Sequence, residues 1–183
     1  MNQQIVELLV RRSFKRGDFV LASGKRSSYY VDARLSTMSG EGQVLIGRAG
    51  LAALDAQGWQ PHAIGGLTLG ADPIAYAIAA EATRTGRRLD AFTVRKEAKA
   101  HGTGQLIEGP FVPGKPVVVV EDVITTGDSA LRAVKALREA GSEVLGVLAV
   151  VDREEGGTQR LQQEGLSVVA LARIAELLQS SSS

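Results

Sequence analysis

The chain has 183 residues, 44% of them hydrophobic, enough to bury one sizeable core within a single domain. It has no cysteine, which excludes disulfides, thiolate nucleophiles and thiolate metal sites, and its formal net charge of +1 gives no general attraction to nucleic acid. No apolar run approaches the ~18 residues of a membrane span, and MNQQIVELLVRR lacks a secretory pattern, so a cytoplasmic protein with neither membrane nor nucleic-acid partner is expected.

In chain order, residues 3–12 carry Ile5, Leu8 and Leu9 at helical spacing, and extended pieces at 19–21 and 29–31 flank the turn-forming SGKRSS. From Glu41 the pattern alternates through helix 41–57, strand 62–66, helix 73–84, strand 88–94, strand 117–121, helix 129–140, strand 143–151, helix 157–164 and strand 167–171. This predicts an α/β fold with about five mainly parallel strands flanked by helices. An N-terminal cap is expected over 1–40 and the α/β core over 41–179, while the serines at 180–183 read as a disordered tail.

Val117–Val120 is an uninterrupted β-branched run, as in a strand buried on both faces, and Glu121 and Asp122 follow it. In open α/β sheets ligands bind at that carboxyl edge, so the two carboxylates face a crevice. Thr125, Thr126, Gly127, Asp128 and Ser129 come next, and then a helix with Leu131, Val134 and Leu137 on one face. Free amides at that helix start favour an anion, and the hydroxyls add donors. Carboxylates beside such a cradle suit a phosphorylated sugar; Asp128 or Ser129 as an ordinary N-cap is the lesser reading, since capping requires neither two carboxylates nor a hydroxyl-rich loop.

GPFVPGK at 109–115 matches the first seven positions of a P-loop. Pro116 stands where a Ser or Thr would hold magnesium, and the segment precedes its strand instead of following it, so it is rejected as a nucleotide site. The 22 residues of RKEAKAHGTGQLIEGPFVPGKP join two strands without a helical or strand period, which marks a functional lid. Arg95, Lys96, Lys99 and His101 crowd within it against Glu97 alone, an arrangement a multiply charged anion would neutralise. His62 and Trp59 show no partner pattern and read as structural.

Together these segments resemble the type I phosphoribosyltransferases, and among them the orotate phosphoribosyltransferases. EDVITTGDS is similar to the signature for 5-phosphoribosyl-1-diphosphate that the whole family shares. FVLASGKRSSYYVD at 19–32 resembles the orotate enzymes' hood, VRKEAKAHGTGQLIEG at 94–109 their mobile catalytic loop, and VDREEGG at 151–157 their orotate-side loop. GGLTLGADP at 65–73 resembles the loop that receives diphosphate. Two positions depart from some members, which carry lysines where this chain has Ala22 and Gly70; Lys25 is a nearby substitute.

The resemblance implies transfer of a phosphoribosyl group to orotate, giving orotidine 5′-monophosphate and diphosphate in pyrimidine biosynthesis. It implies Lys99, His101 and Asp122 as catalytic residues. Arg95, Lys96, Lys99, His101, Glu121, Asp122, Val123, Ile124, Thr125, Thr126, Gly127, Asp128 and Ser129 would contact the sugar diphosphate. Thr125, Arg153, Tyr30 and Lys25 would contact orotate. Mg2+ is implied, held mainly by substrate rather than by protein, as is a homodimer in which the basic loop reaches the neighbouring subunit's site. Two alternatives share the sugar-phosphate motif: an enzyme for another base, and a nucleic-acid-binding regulator that uses the sugar diphosphate as effector.

Overall fold

A computed structural model describes residues 2–20, 24, 26–97 and 106–182. Among these residues lies a six-stranded sheet in the order β5-β4-β3-β6-β7-β8. Its members are β3 (Ala63–Leu67), β4 (Asp90–Val94), β5 (Ile107–Glu108), β6 (Val117–Ile124), β7 (Val144–Asp152) and β8 (Val168–Arg173). Five are parallel, as the alternating pattern predicts, and the two-residue β5 pairs antiparallel with β4 at the edge.

The valine run occupies the middle of this sheet because both of its faces are covered. Val118 and Val120 pack with Ile64, Leu148 and Val150 on one face, and Val117 and Val119 with Val147 and Leu137 on the other. Each fully buried side chain of this size contributes about 1.5–3 kcal/mol relative to exposure. The first face is covered by α1 (Asn2–Arg12), α3 (Gly40–Ala56), α4 (Asp72–Arg84) and α7 (Ile174–Ser180), through residues such as Leu9, Leu54, Ile78 and Leu177. The second is covered by α5 (Asp128–Glu139) and α6 (Gly157–Gln163), through Ala133, Leu137 and Leu161. Ser39 caps α3 by accepting from the Gly42 N–H, and Pro73 stands in the first turn of α4, where its missing donor costs nothing.

Before the core comes an antiparallel ribbon of β1 (Phe14–Val20) and β2 (Arg26–Val31), followed by one turn of helix, α2 (Arg34–Thr37). The ribbon is longer than its extended pieces predict. It is tied down where the Asp32 N–H donates to Ser13 O and where the hydroxyls of Ser13 and Ser36 meet at 2.6 Å, both buried.

Most predicted boundaries fall within a residue or two, with three informative differences. β6 runs on to Ile124, so Glu121 and Asp122 belong to the strand itself. α2 and β5 are too short to leave a period in the sequence. The third concerns the tail: Ser180 closes α7, and Ser181 and Ser182 accept hydrogen bonds from Arg16, so these serines have partners where composition alone predicted none. GPFVPGK lies on the approach to β6, at the amino edge of the sheet, away from any helix start.

Candidate active site

The chain leaves β3 for β4 on one side and returns to β6 on the other, so a crevice opens at their carboxyl ends, where parallel sheets bind ligands. A cavity of about 360 Å³ lies there. Its wall is made by Thr68, Leu69 and Gly70 after β3, by Glu121, Asp122, Val123, Thr125 and Ser129 around the end of β6, and by Arg153 after β7. Lys96 and the segment from Tyr30 to Arg34 close the remaining sides.

The two carboxylates differ in state. Glu121 is 6% exposed, and its Oε2 is buried without a hydrogen-bond partner. Burial, and then the charge of Asp122, push its pKa up to about 9. Asp122 is half-buried and accepts from the Val123 N–H at 2.8 Å. The sequence reads the pair as two acceptors, whereas the fold favours the protonated form of Glu121, because β6 carries it into the covered part of the sheet.

Beyond β6 the loop turns into α5 through Gly127, which takes the left-handed conformation at φ 81° and leaves the helix start without a side-chain cap. Asp128 does not cap α5. Its carboxylate accepts from Thr126 Oγ1 at 2.7 Å and pairs with Arg160 of α6 at 2.5 Å, and these two partners lower its pKa. Arg160 also donates to Thr126 O. The loop is therefore braced from behind while the amides of the first turn stay open. Thr125 and Ser129 reach the cavity wall, but Ile124 does not, since its side chain is 1% exposed within the core. The Ile124 side chain packs in the core, and its carbonyl accepts from the Arg153 N–H.

Arg153 is oriented by several contacts. Its Nη2 pairs with Glu155 at 2.7 Å, its guanidinium lies 5.4 Å from the centre of the Tyr29 ring, and its Nε is buried without a partner. Asp152 beside it accepts from the Glu154 N–H and from Thr158 Oγ1, both at 2.7 Å, fixing the loop that carries Arg153. Tyr30 lines the cavity and packs against Phe19, whereas Tyr29 stacks on Phe14 and supports Arg153. Tyr29, Asp152 and Arg160 escape sequence reading. The alternation of β2 could have turned Tyr29 inward, and the Asp152–Thr158 spacing is a loop-closing signal; nothing in sequence pairs Arg160 with Asp128.

On the β3 side, Asp72 at the start of α4 accepts from Thr68 Oγ1 at 2.7 Å and from Thr93 Oγ1 at 2.8 Å, linking the loop after β3 to the end of β4. Lys96 reaches the cavity, while Arg95 pairs with Glu108 across the sheet edge. Lys25, Lys99 and His101 lie outside the described residues. His62 is half-buried beside β3, and Trp59 is packed into the core. Among the described residues no three metal-ligating side chains cluster. Glu121 and Asp122 are an oxygen-only pair with one unpartnered oxygen, which fits a hard cation held chiefly by substrate oxygens.

The family model described as "Phosphoribosyl transferase domain" matches residues 44–164. The orotate phosphoribosyltransferase of Aquifex aeolicus is 50% identical over 179 residues, covering 96% of this chain and 97% of that one. A crystal structure of Mycobacterium tuberculosis orotate phosphoribosyltransferase in complex with Fe(III) dicitrate superposes with a TM-score of 0.86 at 45% identity, covering 96% of this chain and 98% of the other. A structure of the same bacterium's enzyme with 5-phospho-alpha-D-ribosyl 1-diphosphate gives 0.79 at 39% identity, covering 96% and 90%.

Proposed function

The chain belongs to the orotate phosphoribosyltransferases of the phosphoribosyltransferase family, and on that basis we propose that its cavity seats the sugar diphosphate between β3 and β6 and orotate against Arg153. The enzyme transfers the 5-phosphoribosyl group from 5-phosphoribosyl-1-diphosphate to orotate, giving orotidine 5′-monophosphate and diphosphate in pyrimidine biosynthesis. The observation that carries the assignment of places is the convergence of Asp122, Thr125, Ser129, Arg153 and the loop from Thr68 to Gly70 on one cavity at the switch point.

The open amides of α5, with Thr125, Thr126 and Ser129, hold the 5′-phosphate and fix the sugar before attack. Asp122 accepts from a ribose hydroxyl and faces the positive charge that develops on the ring, while Glu121 donates or accepts according to its proton. Arg153, held by Glu155 and over the Tyr29 ring, offers its fork to the orotate carboxylate, and Tyr30 covers the base. Lys96, with Arg95, Lys99 and His101 from the basic loop, stabilises the departing diphosphate, where negative charge grows. Asp122 and Glu121 would be the protein oxygens available to magnesium, which would supply neutralisation of the diphosphate charge. The N-terminal cap and the α/β core act as one domain.

A homodimer that shares its basic loops is part of the same proposal; Leu35 on α2, Met38 just after it and Val44 on α3 are exposed apolar surface available for it. Cytoplasmic placement is proposed likewise, with no helix among the described residues long and apolar enough to cross a membrane.

The test is an assay of orotate consumption and diphosphate release with and without magnesium. Turnover of hypoxanthine or adenine with none of orotate would overturn the base assignment. Lys99→Ala is expected to lower turnover by roughly two to three powers of ten, the scale of one transition-state donor. Unchanged turnover removes Lys99 from the mechanism.

A further inference from the structure

One cation in the cavity wall has no task in that division of labour. Arg34 stands at the start of α2 and forms a two-point pair with Asp32, Nε to Oδ1 at 2.9 Å and Nη2 to Oδ2 at 3.0 Å. Its backbone N–H also donates to Asp32 Oδ1. A guanidinium has five N–H donors in a rigid plane, so this pairing fixes the plane and leaves Nη1 and one edge of Nη2 uncommitted to Asp32.

An exposed pair of neighbours at a helix start is ordinarily of little consequence, and half-exposed Arg34 would fit that description by solvent access alone. Its position argues otherwise. Arg34 and Asp32 line the same cavity as Thr68, Gly70, Asp122 and Lys96. Asp122 lies near enough to add to the effect of Asp32, the larger cause, in holding the proton on Arg34.

The loop after β3 cannot supply such a cation. A Cβ built on Gly70 would stand 2.7 Å from both Cγ and Oδ1 of Asp122, so no side chain extends from that position while Asp122 keeps its place. The Thr68 hydroxyl donates to Asp72, which leaves that stretch mainly its backbone. Of the cations in the wall, Arg153 is paired with Glu155, and Lys96 remains with Arg34 to meet a diphosphate entering beside three acidic residues, Asp32, Glu121 and Asp122.

We propose that Arg34 is a diphosphate-binding residue, held in orientation by Asp32, which delivers from the N-terminal cap the charge that Gly70 prevents the loop after β3 from delivering. The inference rests on the reading that this cavity takes the sugar diphosphate. Arg34 meets the leaving group with its free edge, and Asp32 is a positioning residue that acts through it.

Calorimetric titration of diphosphate into wild type, Arg34→Ala and Arg34→Lys, with steady-state KM values for both substrates, tests the proposal. Arg34→Ala is expected to weaken diphosphate roughly ten- to a hundredfold, the range for a hydrogen bond to a charged group, and to raise the KM for the sugar diphosphate in parallel. The KM for orotate at saturating sugar diphosphate should stay within about twofold. Arg34→Lys restores charge without the fork and should fall between, and Asp32→Asn should lose less than Arg34→Ala. Unchanged diphosphate affinity in Arg34→Ala, or a loss confined to orotate, overturns the proposal. Wild type that releases no diphosphate overturns the underlying function instead, so the two failures are distinct. Should the alanine variant not fold, Arg34→Gln and Arg34→Lys carry the same comparison.

Discussion

The carboxyl end of β6 and the β1–β2 ribbon face one cavity but are built in opposite ways. β6 is buried along most of its length between two packed layers, and its carboxylates are positioned by the sheet. In the ribbon β2 alternates exposed and half-buried residues and β1 is mostly exposed after Phe14, and the ribbon is held by separate contacts: the Phe14–Tyr29 stack, the Ser13–Ser36 hydroxyl pair and Arg16 donating to Leu178 O. Preorganisation matters most where charge develops, and β6 supplies it at the cost of burying Glu121. The ribbon lies against the proposed base end, where fit would be decided by a few contacts that can be tuned without disturbing the core.

The strongest way to break this contrast is Asp122→Ala, expected to lower turnover by roughly two to three powers of ten while thermal unfolding stays close to wild type. Equal losses in turnover and in stability would make Asp122 structural. Next is Arg153→Ala at the other end, which should raise the KM for orotate about ten- to a hundredfold and leave diphosphate titration unchanged. A matching loss of diphosphate affinity would mean the two ends are not separable.

A pH series sharpens the comparison further. Glu121 holds its proton more tightly when folded, at about 9, than in the unfolded chain, near the ordinary 4.5. Between those values the folded state binds more protons, so stability is fully present below about 4.5 and falls as pH rises towards 9. Denaturant melts of Glu121→Gln should show a flatter dependence over that window, and a slope equal to wild type would mean that Glu121 is already ionised. The smallest effect is expected from Arg16→Ala, which loosens the exposed ribbon from α7. It should cost about 1 kcal/mol or less, and a larger loss in a urea melt would show that the ribbon is part of the cooperative core.

The same contrast governs what could be read in the sequence. The buried strands announce themselves because parallel strands covered on both faces need continuous apolar runs, and Val117–Val120 is the clearest. The strand, hydroxyl loop and helix start of the proposed phosphate cradle are equally legible, since they are contiguous. α7 was missed because only Ile174 and Leu177 of IAELLQS are buried, too few to set a period. Roles that depend on distant partners left no local trace: Arg160 bracing Asp128, Tyr29 beneath Arg153, and Arg34 in the cavity wall. The direction of the Ile124 side chain is likewise set by the pleat of the strand and not by its place in the motif.

Because five parallel strands point the same way, the sheet's own loops that shape the cavity leave from one edge, and the exposed turn before β6 with Lys115 occupies the opposite one. That separation makes the turn an attachment point. A linker coupled at Lys115 would fix the enzyme to a bead or electrode with the mouth of its cavity turned outward, so that immobilisation and substrate entry occupy different ends of the molecule.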